Sequence, residues 1–268
     1  MQRKTDVISA RSALSANLTI VLVTSVQVSR TRCSVVGRMQ IIKGGSLRRN
    51  LPALLSFNGG YVDTAGFVAL HGLFTAHVTG NFVTLGATFV FGTAGAIAKL
   101  LALPVFCLTV MLAGAVSYRL AAAGAPVLRV MFSAQALVLA FGAVLAIRLS
   151  PLTDGDDWTA VATGLTLVAA MAIQNALHRI HLSDAPPSTL MTGTVTQFML
   201  QLADRVGKVQ PSASAGPSPL VRMAGSVASF AAGCAVAAGM FRLAGHWCFA
   251  VPPVLIAVAV VLAGKERG

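Results

Sequence analysis

The sequence predicts an all-α membrane protein of about six clear transmembrane helices plus two polar helices, arranged as an internal duplication. Three observations carry that prediction: composition, the spacing of apolar stretches, and a polar motif that occurs twice. Of 268 residues, 56% are hydrophobic and only 10% are charged, where a soluble domain carries about a quarter. Mean hydropathy is +0.78. Too few charges remain to cover a water-facing surface, so lipid is the expected solvent.

Residues 1–50 read as a basic, poorly ordered N-terminal extension, with Met39 as an alternative start. They hold nine Lys and Arg against Asp6 alone, so the high pI is largely theirs. The apolar run at residues 14–28 is interrupted by Asn17, Thr19, Ser25 and Gln27, and no A-x-A cleavage pattern follows it. Such a basic excess reads as cytoplasmic flanking charge rather than as a nucleic-acid surface.

A spanning helix needs ~20 apolar residues to cross ~30 Å. In the integral membrane domain, residues 51–268, five stretches meet that: 100–118, 130–147, 158–177, 223–241 and 247–264. A sixth, 51–70, is long enough but carries Asp63. Two more are polar. Residues 78–98 are rich in Gly and Thr, and 188–206 contain Thr189, Thr192, Thr194, Thr196, Gln197, Gln201, Asp204 and Arg205. Residues 149–157 and 207–219 read as aqueous linkers. In the stretch 223–241, Gly225, Ser229, Gly233 and Ala237 recur every fourth residue, which predicts a face where a neighbouring backbone comes close. The four cysteines lack metal or disulfide spacing and read as small hydrophobes.

The repeat joins the polar residues. Asp63 stands 16 residues before Thr79-Gly80-Asn81, and Asn175 stands 17 before Thr192-Gly193-Thr194. Each anchor lies in an apolar helix, and each Thr-Gly opens a polar segment followed by two clean spans. Two repeats result, about 51–149 and 158–264. On the stretches LLSFNGGYVDTAGF, HVTGNFVTLG, AMAIQNAL and LMTGTVTQ, the chain resembles the YoaK-like family of small bacterial inner-membrane proteins, a family defined by a domain of unknown function. The resemblance runs from about Leu51 to Leu262. It implies a multi-pass protein of the bacterial inner (plasma) membrane and supplies no reaction or substrate.

An ionised Asp near the bilayer centre costs about 3 kcal/mol on insertion scales, so Asp63 needs a partner, a proton or water. Tyr61, Asp63 and Asn81, with Gln174, Asn175 and Thr192, are expected to line one polar cavity at the repeat interface. The competing reading has them pair with one another and fix helix packing. Thr79 and Thr192 open helices whose unpaired N–H groups suit an anion or a carboxylate such as Asp63, or serve as N-caps. His77 lies close enough in sequence to relay a proton to Asp63, because histidine titrates near neutral pH; an interfacial role is the alternative.

No nucleophile elbow, P-loop or dinucleotide fingerprint is present, and Asp154-Gly155-Asp156-Asp157 lacks complete metal-loop spacing, so neither an enzyme nor a cofactor is expected. With both termini cytoplasmic, six spans leave only Lys99, Arg148 and Arg242 outside, which charge bias favours slightly over eight. Six spans make the halves inverted and the polar segments re-entrant. The function expected is a carrier or channel for a small polar solute, coupled to a proton at Asp63, with membrane lipids as partners and no nucleic acid. The rival is a non-transporting scaffold.

Overall fold

The computed structural model describes residues 50–189, 191–207 and 219–264. The basic extension therefore lies outside the described residues, as does most of the Pro/Ser linker. The described residues belong to one compact unit. Among the described residues every regular element of the chain is a helix. Its elements are α1 (Leu51–Ala69), α2 (Gly80–Phe91), α3 (Ala96–Ala122), α4 (Val127–Arg148), α5 (Trp158–His181), α6 (Met191–Val206) and α7 (Pro219–Ala244). A 3-10 turn (Gly245–Ala250) then leads into α8 (Val251–Gly264). Because α7, the turn and α8 are continuous, the described residues hold seven separate helical segments.

Four segments are long and apolar enough to cross a membrane: Ala96–Ala122, Val127–Arg148, Trp158–His181 and the composite Pro219–Ala263. The sequence separates the last into 223–241 and 247–264, and the structure turns there without losing helical backbone. Pro252 and Pro253 explain the restart: neither has an N–H to give to the preceding turn, and both fit the first turn of a new helix. α1 carries Asn58, Tyr61 and Asp63 within its 19 residues and is not among the four. α2 and α6 are short. Their 12 and 16 residues rise only ~18 and ~24 Å.

Contacts between helices fix their directions. α1 and α7 run parallel: Ser56 and Ser226 share a hydroxyl hydrogen bond of 2.7 Å, and four residues further along both helices Gly60 meets the Phe230 carbonyl. Gly233 meets the Phe57 carbonyl in return, so a Cβ on either glycine would collide with backbone. Such small-residue contact is how membrane helices approach closely. The buried face of α7 is Ser226, Gly233 and Ala237, while Gly225 faces open space. A strict four-residue stripe drifts about 40° per step around a helix of 3.6 residues per turn, which carries Gly225 off the contact face.

α3 and α5 also run parallel. Asp156, just before α5, accepts hydrogen bonds from Gly95 and Ile97 at the start of α3, and Ser117 and His181 pair at the other end, 2.7 Å apart. α4 is antiparallel to α5, since Gln135 bonds Gln174 and Gly142 packs on Leu167. α1 is antiparallel to α5 as well, with Asn58 on Gln174 and Leu70 beside Gly164. α8 packs on α4 and starts where α4 ends, at the Ser150–His246 hydrogen bond, so it runs back along α4. The outer faces remain apolar: Leu100, Leu108, Met111 and Leu112 of α3 are each more than half exposed.

After α1 the chain turns back into the bundle. His71 and Gly72 both take positive φ (53° and 82°), reversing the backbone. Gly66 gives Thr75 room, since a Cβ there would stand 2.7 Å from the Thr75 methyl. Residues 75–77 thus reach the level of Asp63, and α2 returns to the rim where Gly155 packs on Gly95 and His71. The chain after α5 does the same at the other end: Ser188 and Thr189 come back to the level of Gln174 and Asn175 before α6 begins.

Candidate functional site

Asp63 is buried in α1 and receives the first returning segment. Its Oδ1 accepts the backbone N–H groups of Thr75 (2.8 Å) and Ala76 (2.7 Å), with longer approaches from His77 N–H and the Thr75 hydroxyl, both at 3.4 Å. Its Oδ2 takes Nδ1 of His77 at 2.6 Å. A carboxylate only accepts, so Nδ1 carries the proton. The His77 ring stands edge-on to Phe230, centroids 5.5 Å apart, and 6.4 Å from Phe74. Asp63, His77, Thr79, Phe67, Phe74, Phe230 and Cys234 face a cavity of about 520 Å³. This places a titratable pair on an aromatic-lined space beside α1 and α7.

The other residues expected to form the site are distributed. Thr79 precedes α2 and makes no capping bond with its side chain. Asp63 is met by the amides of the returning loop, not by those opening α2. Asn81 clamps that loop, accepting from Phe74 N–H and donating to Phe74 O, each at 2.8 Å. Tyr61 is buried and donates its hydroxyl to the Cys248 carbonyl at 2.9 Å, tying α1 to the 3-10 turn. Asn175 Oδ1 accepts the Thr189 hydroxyl at 2.6 Å. Thr192 is exposed on α6, where its carbonyl accepts the Thr196 hydroxyl.

Gln174 belongs to a second polar centre, between α1, α4 and α5. Its Oε1 accepts the side-chain N–H groups of Asn58 (2.9 Å) and Gln135 (3.0 Å), and its Nε2 donates to Leu55 O (2.9 Å) and the Ser188 hydroxyl (3.2 Å). All four side chains are buried. Asn58, Gln135 and Ser188 escaped the sequence reading. The signal for Gln135 was its being the only carboxamide in the stretch 130–147. Asn58 stands five residues before Asp63 in the same apolar helix.

Long helices with exposed Leu and Met, turned around buried polar side chains, define a helical membrane protein. More specifically, the chain belongs to the DUF1275 family of proteins of unknown function, whose pattern matches residues 51–262. No curated protein and no solved structure matches it.

Proposed function

We propose that this protein is a carrier or channel for a small polar solute, with Asp63 and His77 as its proton-linked pair. In this reading α1, α3, α4, α5, α7 and α8 cross the bacterial inner membrane with both termini cytoplasmic, and α2 and α6 are re-entrant. The two halves, about 51–149 and 158–264, are then inverted copies. Reciprocal packing supports this: α3 lies parallel to α5 as α7 lies parallel to α1, and each returning segment packs on the other half's first helix, Leu73 on Gly164 and Ser188 on Gly59. Inverted repeats with broken helices suit alternating access around a fixed site.

The observation that carries the reading is the Asp63–His77 pair at 2.6 Å beside a cavity of about 520 Å³. An ionisable pair within a membrane helix is costly unless it is used or fully paired. Two experiments test it. A single cysteine at position 156, in a background without the native cysteines, labels from the periplasmic side if six spans and inverted halves hold. In proteoliposomes screened with small polar solutes, the wild type should carry a solute with pH-dependent flux, and His77→Gln should keep downhill flux while losing the pH dependence. Cytoplasmic labelling sinks the inverted halves, and unchanged pH dependence in His77→Gln sinks the coupling.

A second reading rests on its own observation. Asp63 Oδ1 already meets three backbone N–H groups and a hydroxyl, as it would if its task were to staple the loop. A non-transporting scaffold is the function that follows, and absence of flux for every solute would favour it. Neither reading assigns a catalytic step or a cofactor.

A further inference from the structure

The loop that follows α5 borders a second cavity, of about 430 Å³, walled by three helices and the loop itself. The last turn of α5 supplies His178 and Arg179, the loop supplies Asp184 and Ala185, and the opening turns of α6 and α7 supply Thr194 and Arg222. Gln174 lies opposite Leu55 of α1, and His178 is one turn further along the antiparallel α5, so this cavity sits by the start of α1. Asp63 is ~18 Å away along the helix axes, which separates the two cavities.

Two donors grip the loop at consecutive carbonyls. Arg222 Nη2 donates to Asp184 O, and His178 Nε2 donates to Ala185 O at 3.3 Å. The Cα atoms of those neighbours are ~3.8 Å apart, so guanidinium and imidazole meet at one wall of the cavity. A carbonyl only accepts, so the proton of a neutral His178 is on Nε2 and Nδ1 is bare. His178 is 3% exposed, and Nδ1 is buried with no hydrogen-bond partner among the described residues. Native interiors rarely leave a polar atom so, and this one belongs to a side chain that lines a cavity.

Charge decides the class of ligand. Arg179 and Arg222 form no ion pair among the described residues, and Asp184 is the one acid among the described residues of the cavity wall. The opening turns of α6 and α7 add the partial positive ends of two helices against the negative end of α5. Residues 208–218, between α6 and α7, contain no Asp or Glu, so that linker has no carboxylate to offer. We infer that this cavity binds a phosphomonoester, free or as a lipid headgroup. Guanidinium groups suit phosphate oxygens, which they meet through paired N–H donors. A phosphomonoester also holds its second proton with a pKa of about 6, close to that of an imidazole. One proton therefore serves both: a P–OH donates to bare Nδ1, or an Nδ1–H donates to the phosphate. A fully ionised sulfate brings no such proton.

The test is equilibrium binding to the purified full chain at pH 7 and constant ionic strength, with chloride as the background anion. Inorganic phosphate and glycerol phosphate, titrated by calorimetry, probe the free form. Nanodiscs holding phosphatidic acid, compared with phosphatidylcholine alone by their Tm, probe the lipid form. Saturable binding of the first two supports a soluble ligand, and a rise in Tm with phosphatidic acid alone supports a lipid. Arg179→Gln and Arg222→Gln, both at exposed positions, should each weaken the interaction about tenfold, the loss expected for one hydrogen bond to a charged group. Sulfate, or a sulfated lipid in the discs, should bind more weakly than its phosphate counterpart. His178→Gln keeps a donor for Ala185 O but has no counterpart of Nδ1, so it should remove that preference. No binding by any phosphate probe, sulfate binding as tight as phosphate, or binding that survives both arginine variants overturns the assignment. The measurement involves neither flux nor Asp63, so its failure and the failure of the transport reading are separate results.

Discussion

The two returning segments do the same topological task with different chemistry. After α1, the backbone is held by a carboxylate: Asp63 collects the N–H groups of Thr75 and Ala76 and the imidazole of His77. After α5, the amide Asn175 holds one neutral group of the returning segment, the Thr189 hydroxyl, while its N–H goes to Met171 O of its own helix, and neighbouring Gln174 holds Ser188. Hydrogen bonds to an ionised acceptor are about twice as strong as neutral ones. The first segment is therefore the firmly stapled one, and it leads into α2, whose Asn81 adds a two-bond clamp. The second leads into an α6 that is mostly exposed. Similar backbone paths thus end in one tightly held and one more loosely held segment.

Removing each anchor should break that comparison most visibly. Asp63→Ala strips the acceptor from two buried N–H groups, each worth about 1–3 kcal/mol, so unfolding in mixed micelles should lose roughly 2–6 kcal/mol. Asn175→Ala removes one hydroxyl's acceptor and should lose about 1 kcal/mol. Equal losses would mean that the carboxylate is not the stronger staple.

The α1–α7 contact gives a smaller effect with an internal control. Gly233→Ala drives a methyl into the Phe57 carbonyl and should cost about 1–3 kcal/mol by overpacking. Gly225→Ala on the same helix meets open space and should change stability by no more than about 1 kcal/mol, toward stabilisation, since alanine is the better helix former. The same unfolding assay ranks them, and a neutral Gly233→Ala would remove the close contact from the account.

The smallest effect lies in the loop before α5. The Asp156 carboxyl is held below its ordinary value of 3.8, chiefly by the Ile97 N–H and then by that of Gly95, with help from the charge of Lys99, against the opposing cost of burial. A depressed carboxylate stabilises the fold above its unfolded value, and the contribution is lost as pH falls below that value. Wild type should therefore lose thermal stability below about pH 3.8 relative to Asp156→Asn, while the two differ by a constant amount from pH 5 to 7. Parallel curves throughout would show that the Asp156 bond does not hold the start of α3.

Much of the fold was legible because membrane helices follow from composition and length alone. The stretches 100–118 and 130–147 appear as Ala96–Ala122 and Val127–Arg148, one to four residues longer at each end, because helical backbone continues past the wholly apolar centre to residues such as Lys99, Arg119 and Arg148. That Asp63 needed a partner was also legible, from the cost of its charge. Which partner was not: His77 and the amides of residues 75 and 76 reach it only because His71 and Gly72 reverse the chain. Gln174 was legible as a polar residue out of place, but its neighbours Asn58 and Gln135 stand 116 and 39 residues away along the chain.

By itself, then, the sequence determined a basic, strongly apolar helical chain with polar side chains out of place in it, because hydrophobicity and charge cost are properties of local composition. Only the tertiary structure decided which helices run parallel, which amides meet the carboxylate, and which way three carboxamides face. The physical reason is that close approach depends on glycine backbones meeting across helices, and a hydrogen bond depends on partners arriving from distant segments in one orientation. Neither leaves a periodic trace in the order of residues.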